Sequence, residues 1–289
     1  MRLVSFTQAQ TTRIGLLNDS GIVDLSTASP GLPTNMLEFL QLGADAMASA
    51  AKAETAKADY ALTDVHLESP VTRPGKILAI GLNYRAHAEE SGAEIPKTPL
   101  VFTKQNTSIN GPYDPVHKSS HARMLDYEGE LAIVIGKRCR HVPKDKAQQV
   151  VAGYCINNDV SVREWQMRGT PAQFTMGKSW DTHCPLGPAI ETDIDPHNLK
   201  LVTKVNGEVR QDSNTNDLIF NCNEIIAYLT TAFTLEPGDV IVTGTPSGVG
   251  MAMKPPQALN VGDTVRVEIE GLGHIENEII EEPESVTLF

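Results

Sequence analysis

From Lys76 onward, apolar runs of about four to six residues recur with Gly, Pro, Asn and Asp between them, as at 77–80, 131–135, 201–205, 240–242 and 264–269. Runs this short, bounded by turn formers, have the length of buried strands and fall below that of most helices. Segments with a 3.6-residue period are few, the clearest being 218–233. The pattern predicts a domain that is mainly β with some α, sandwich or barrel-like. It lacks the regular strand–helix alternation of a doubly wound sheet.

Residues 1–70 read differently. Short strand-like pieces at 2–6, 13–17 and 22–24 are separated by turn residues such as Asn18-Asp19-Ser20-Gly21. Asn35 is placed to cap a helix, with Glu38 at the third helical position as in a capping box. The Ala-, Lys- and Glu-rich stretch 46–61 predicts a second, mostly exposed helix. Pro70 and Arg73-Pro74-Gly75 then break the pattern. The expected division is a small α+β accessory module over 1–70 and a larger domain over 71–289.

Charge narrows the partners. The chain has 24 basic and 36 acidic residues, a net charge of −12 with no basic cluster to offset it. That argues against nucleic acid and against anionic membrane surfaces. An anionic small substrate would need local Arg or Lys. The N-terminus Met1-Arg2-Leu3-Val4-Ser5-Phe6 lacks the apolar core of a signal peptide, and no run reaches membrane-spanning length, so a cytoplasmic location is expected. Cys139, Cys155, Cys184 and Cys222 are scattered, which reads as isolated thiols rather than disulfides or a zinc site.

The chemistry concentrates in a few places. Glu128 and Glu130 lead into the apolar run 131–135, and on a strand both would face one way. Asp159 follows a second apolar run and offers a third carboxylate. Three hard oxygen donors with open positions suit Mg²⁺ or Mn²⁺ better than Zn²⁺, although Glu-x-Glu alone is equally a solvated strand edge. His87 and Glu90 would be i, i+3 neighbours on a short helix, a plausible general-base pair; on local sequence alone the surface-pair reading prevails. Gly177-Lys178-Ser179 lacks the upstream glycine of a phosphate loop, where Ala172 stands instead, so Lys178 reads as a donor toward an anionic ligand or as a surface lysine. Residues 243–250, Thr-Gly-Thr-Pro-Ser-Gly-Val-Gly, form either a ligand-contacting loop or a tight turn, with Gly244 and Thr245 the candidate contacts. His117 and His121 read as structural or surface histidines, and Trp165 and Trp180 as core or pocket wall.

Taken in order, the pieces resemble the fumarylacetoacetate hydrolase family. They are Gly81-Leu82-Asn83-Tyr84 with His87 and Glu90, Phe102-Thr103-Lys104, Asp126-Tyr127-Glu128-Gly129-Glu130, Asn158-Asp159-Val160, Gly177-Lys178-Ser179 and the 243–250 loop, within a matching run from about 73 to 276. Cys184-Pro185-Leu186-Gly187-Pro188 and Val205-Asn206-Gly207-Glu208 are similar to a bacterial branch with an N-terminal accessory module. The resemblance implies a mixed β-sandwich roll, a homodimer, and Mg²⁺ or Mn²⁺ on Glu128, Glu130 and Asp159. It implies His87 and Glu90 on a lid, with Lys178, Arg163, Gln166 and Thr245 near substrate. Thr182 falls where the founding branch has a residue near the metal. That branch also has a further acidic ligand upstream of its histidine; here the stretch is Ala79-Ile80-Gly81.

The function so implied is metal-dependent hydrolysis of a carbon–carbon bond in a 2,4-diketo acid, with His87 as base to water and Lys178 beside the developing oxyanion. The same electron sink serves decarboxylation or isomerisation of oxaloacetate-like or dienol acids, and ureidoglycolate cleavage is a third enzymatic reading. A catalytically inactive ligand-binding protein is the non-enzymatic alternative.

Overall fold

The strand Gly129–Ile135 is buried at every position, and its two faces serve two different cores. Leu131, Ile133 and Ile135 face one apolar cluster, and Ala132 and Val134 face another. A strand covered on both sides has no polar alternation to display, which explains the unbroken apolar run in the sequence. The computed structural model describes residues 1–286.

This strand lies in an eleven-stranded mixed sheet. The path runs Gly21–Asp24, Thr11–Asn18, Arg2–Gln8, Cys184–Glu191, Val151–Asn158, Gly129–Ile135, Val240–Val242, Ile77–Gly81 and Leu100–Lys104. Val240–Val242 and Ile77–Gly81 run parallel, while the central pairs around Gly129–Ile135 are antiparallel. A five-stranded sheet, Glu208–Asn214, Lys200–Val205, Thr264–Ile269, Gly273–Glu281 and Val116–Lys118, contributes Leu201, Val267 and Ile275 to the Leu131 side. Phe39, Leu40 and Ala50 from the N-terminal helices cover the Ala132 side. The expected α+β sandwich with a few helices is what the chain forms.

The N-terminal strand Arg2–Gln8 pairs directly with Cys184–Glu191, Leu3 opposite Ile190, so the first residues extend the large sheet. Asn35 caps the helix Met36–Gln41 as expected, its Oδ1 accepting from the Leu37 and Glu38 amides. The alanine-rich helix is shorter than its composition predicts and ends at Ala51. Beyond it the chain doubles back: Asn18 Nδ2 donates to the Glu54 and Ala56 carbonyls, and the Asp59 amide donates to Ile22. Tertiary pairing overrides propensity there. The helix expected over 218–233 is Cys222–Ala232, closed by a reciprocal Asn221–Glu224 capping box. Leu218 is drawn out of it to bridge Tyr84.

Candidate active site

Antiparallel register assembles the acidic centre. Gly129 pairs with Asn158, which sets Glu130 just inside one strand and Asp159 just beyond the next. The Asp159 amide donates to the Glu128 carbonyl at 2.8 Å, and the Glu128 amide donates to Asn158 Oδ1 at 3.0 Å. Carboxylate oxygens of Glu128, Glu130 and Asp159 lie within 4.8 Å of one another, and all three residues are buried.

Three cations close around this trio. Lys178 ends the short helix Phe174–Lys178, where a Cβ at Gly177 would meet the Gln166 backbone; glycine lets this turn pack close enough to deliver the lysine. Its Nζ donates to Glu128 Oε2 and Asp159 Oδ2, each at 2.7 Å, and to Ser161 Oγ at 2.9 Å. Lys104 donates to Asp159 Oδ1 at 2.6 Å and to the Lys178 carbonyl. Arg163 donates from Nε to Asp126 Oδ2 at 2.8 Å and from Nη1 to Glu128 Oε1 at 2.7 Å and Gln166 Oε1 at 2.9 Å. Its Nη2, also buried, has no partner among the described residues. Lys104 and Asp126 were legible as motif letters but carried no role in the sequence; their partners lie 55 and 37 residues away.

These fields drive the two glutamates apart. Burial alone would raise Glu128, but Lys178 and Arg163 outweigh it and hold its carboxyl down at about 2. Glu130 is pushed well above the carboxylate range by burial, then by Asp159 and Glu128; its Oε2 accepts only from the Gly244 amide, at 2.7 Å. Lys178 is lowered by desolvation but raised more by Asp159 and Glu128, so it stays an ammonium. The trio fits a hard divalent cation: three buried carboxylates are held against their own repulsion, and among the described residues Glu130 has no cationic partner of its own.

His87 and Glu90 sit on the short helix Arg85–Glu90 over the same cavity. Glu90 Oε2 lies 3.1 Å from His87 Nδ1, and its Oε1 accepts from the Gly248 amide at 2.9 Å. The Gly248 carbonyl in turn accepts from the buried Tyr127 hydroxyl at 2.8 Å. Gly248 has φ +104°, and a Cβ there would meet the Arg210 carbonyl, so glycine is required at this post. Asn83, just ahead of that helix, is anchored to Phe220 and Thr243.

The cavity holds about 350 Å³ and is lined by His87, Glu90, Glu128, Glu130, Arg163, Gln166, Lys178 and Thr245 together with an apolar wall. Gly244 is not on that wall; its amide is spent on Glu130. Thr245 donates to the Gly129 carbonyl and accepts from Gln211 Nε2, while Gln211 Oε1 takes the Gly129 amide. Gln211, from the second sheet, thus braces the residue between the two glutamates, a role no local motif announces. Thr182 does not line this cavity; its hydroxyl accepts from the His117 amide. His117 lies in Val116–Lys118 and offers its carbonyl to His183. His66, Glu68 and Asp114 make a second cluster, already satisfied by the His66–Asp114 pair and a Thr7–Glu68 bond. The four cysteines are free. Among the described residues, no helix is long and apolar enough to cross a membrane.

Comparison with known proteins converges on one group. The profile of the fumarylacetoacetate hydrolase C-terminal domain matches residues 76–280. The chain is 43% identical to the rat protein named mitochondrial oxaloacetate tautomerase Fahd2a, over 97% of this chain and 92% of that one. It superposes on fumarylacetoacetate hydrolase from Exiguobacterium antarcticum with a TM-score of 0.83 at 36% identity, covering 98% of this chain and all of that one. Maleylpyruvate hydrolase from Sphingobium, in complex with manganese(II) and pyruvate, superposes at 0.80 with 32% identity and the same coverage.

Proposed function

The chain belongs to the fumarylacetoacetate hydrolase family, and from that premise we propose that it is a divalent-metal-dependent tautomerase of oxaloacetate or a closely related 2-oxo acid. The observation that carries this reading is the end-to-end likeness to an oxaloacetate tautomerase, 43% over 97% of the chain. It places isomerisation ahead of the carbon–carbon hydrolysis expected from the sequence. Hydrolysis remains the second reading, on the likeness to maleylpyruvate hydrolase.

The site's chemistry supports the first reading. A divalent ion on Glu128, Glu130 and Asp159 would supply Lewis acidity toward the 2-oxo group and its carboxylate. Arg163, fixed by Asp126 through Nε, keeps Nη2 for a substrate carboxylate. His87, with Nδ1 turned to Glu90, keeps Nε2 for the substrate. It takes a proton from C3; the electron pair left behind forms the C2–C3 double bond, and negative charge moves onto the 2-oxo oxygen. Lys178 favours that charged oxygen over the neutral ketone. The proton that His87 took from C3, given to that oxygen, completes the enol, and the reverse sequence restores the ketone. No attacking water is needed.

The test follows the enol absorbance of oxaloacetate with Mg²⁺ or Mn²⁺ while pyruvate is assayed in parallel. Accelerated interconversion without pyruvate is the expected result. Pyruvate appearing at the rate of absorbance change, or interconversion no faster than in buffer, would refute it.

A further inference from the structure

The strand Glu208–Asn214 slips its register against Lys200–Val205. Gln211 pairs with Thr203 and Val209 with Lys204, which leaves Arg210 as an extra residue between them. A bulge of this kind re-aims the side chain beside it. Here the side chain is Gln211, fully buried, although no residue of its strand is among the described residues that line the cavity.

Gln211 closes a ring of hydrogen bonds. Its Oε1 accepts from the Gly129 amide at 3.0 Å, and its Nε2 donates to Thr245 Oγ1 at 2.8 Å and to the Pro246 carbonyl at 2.9 Å. Thr245 Oγ1 donates in turn to the Gly129 carbonyl at 3.0 Å. The Gly129 amide belongs to the peptide unit shared with Glu128, and its carbonyl to the unit shared with Glu130. Both peptide planes between the two glutamates are therefore pinned, one by Gln211 and the other by a hydroxyl that Gln211 holds. The same side chain moors the 243–250 loop, whose Gly244 amide donates to Glu130 Oε2. The sheets meet closely here, since a Cβ on Gly129 would collide with Thr203 Oγ1 and the Val267 side chain. A change at Gln211 is passed to the glutamate strand and not absorbed by a gap.

Resting on the reading of Glu128, Glu130 and Asp159 as a divalent-ion site, we infer that Gln211 is a positioning residue for that site. It fixes the separation of Glu128 and Glu130 and ties it to the loop that carries Gly244 and Thr245. Partners that orient metal ligands in this indirect way change affinity by roughly 10–100-fold when removed. Coupling is reciprocal: an ion bound more tightly because of this clamp tightens the clamp by the same factor.

Gln211→Met keeps the length of the side chain and removes its hydrogen bonds to Gly129, Thr245 and Pro246. Calorimetric titration should show Mn²⁺ bound about tenfold or more weaker than in the parent. Asn277→Leu is the control for general loosening. Asn277 is fully buried in the same five-stranded sheet, donates to the Gly111, Pro112 and Asp114 carbonyls, and is not among the described lining residues. Its loss should lower stability in urea yet leave Mn²⁺ affinity within about twofold. A further measurement needs no variant: Mg²⁺ added to the unaltered protein should slow exchange of the Gln211 side-chain amide protons about tenfold by NMR. Unchanged Mn²⁺ affinity in Gln211→Met, or an equal loss in Asn277→Leu, overturns the inference. If Gln211→Met does not fold, the exchange rate decides, and a rate indifferent to Mg²⁺ overturns it. A parent protein that binds neither ion removes the divalent-ion reading itself, and this inference with it.

Discussion

Arg163 rests on Asp126 through Nε at 2.8 Å, with both side chains buried, and that bond decides how the guanidinium is aimed. Asp126 is held by the amides of Tyr127, Gly250 and Met251, so its carboxylate is a fixed post. Asp126→Asn keeps the shape but sets an amide against a buried charge. Breaking a buried pair by one partner costs about 3–5 kcal/mol. The expected outcome is lost stability on that scale in urea unfolding, with KM for oxaloacetate raised. A variant of full stability and unchanged KM would remove Asp126 from this role.

Tyr127 acts through a relay. Its hydroxyl donates to the Gly248 carbonyl, the Gly248 amide donates to Glu90, and Glu90 meets His87. Burial pushes the phenol well up, so it remains a donor at neutral pH. Tyr127→Phe removes one hydrogen bond worth about 1 kcal/mol and should lower kcat roughly fivefold with metal affinity intact. In a His87→Ala background the same change should do nothing further, because the relay no longer ends on the proposed base. Additive losses would show Tyr127 to be merely structural.

The legible parts of the site were those whose signal is local. Glu128 and Glu130 stand two residues apart at the head of an apolar run, and His87 and Glu90 are one helical turn apart. The unread parts depend on register between distant strands. Lys104 meets Asp159 because Leu100–Lys104 ends beside it, and Gln211 reaches Gly129 from another sheet, 82 residues on. Gly244 carries the same lesson in reverse. Its place in a glycine-rich loop suggested a ligand contact, but its amide serves Glu130. Strand content was readable because the central strands carry unbroken apolar stretches, as at 131–135 and 240–242, while the early end of the alanine-rich helix was set by bonds to Asn18 and Ile22 that no propensity encodes.

Lys178 competes with any ion for Glu128 and Asp159, being 2.7 Å from each. At an effective dielectric near 20, a unit charge about 4 Å away contributes ~4 kcal/mol. Lys178→Met should therefore tighten Mn²⁺ binding, by tenfold or more in a calorimetric titration, yet lower kcat, since the charge favouring the enolate oxygen is gone. Chelation should abolish activity in the parent protein and readdition restore it. Weaker Mn²⁺ binding in the variant would mean that the lysine organises the trio instead of opposing a cation.

His183 makes the protein's stability pH-dependent away from the site. Burial drives its pKa from the ordinary 6.5 down to about 3, against the opposing bond to the His117 carbonyl, and Lys104 lowers it further. Nε2 is 2.9 Å from that carbonyl, Nδ1 is buried with no partner among the described residues, and the ring stacks on Trp180. The folded state therefore keeps the ring neutral where the unfolded chain takes up a proton. Between pH 6.5 and about 3 the unfolded state binds more protons, so stability falls as pH falls across that window and is flat in this respect above it. His183→Gln keeps a donor for the His117 carbonyl and cannot be protonated. Its Tm should lie below the parent's at pH 7.5, where the well-packed ring is lost without gain, and the gap should narrow or reverse by pH 5. A gap between the two melting temperatures that stays constant from pH 7.5 to 5 would mean that the buried ring takes up its proton as readily folded as unfolded.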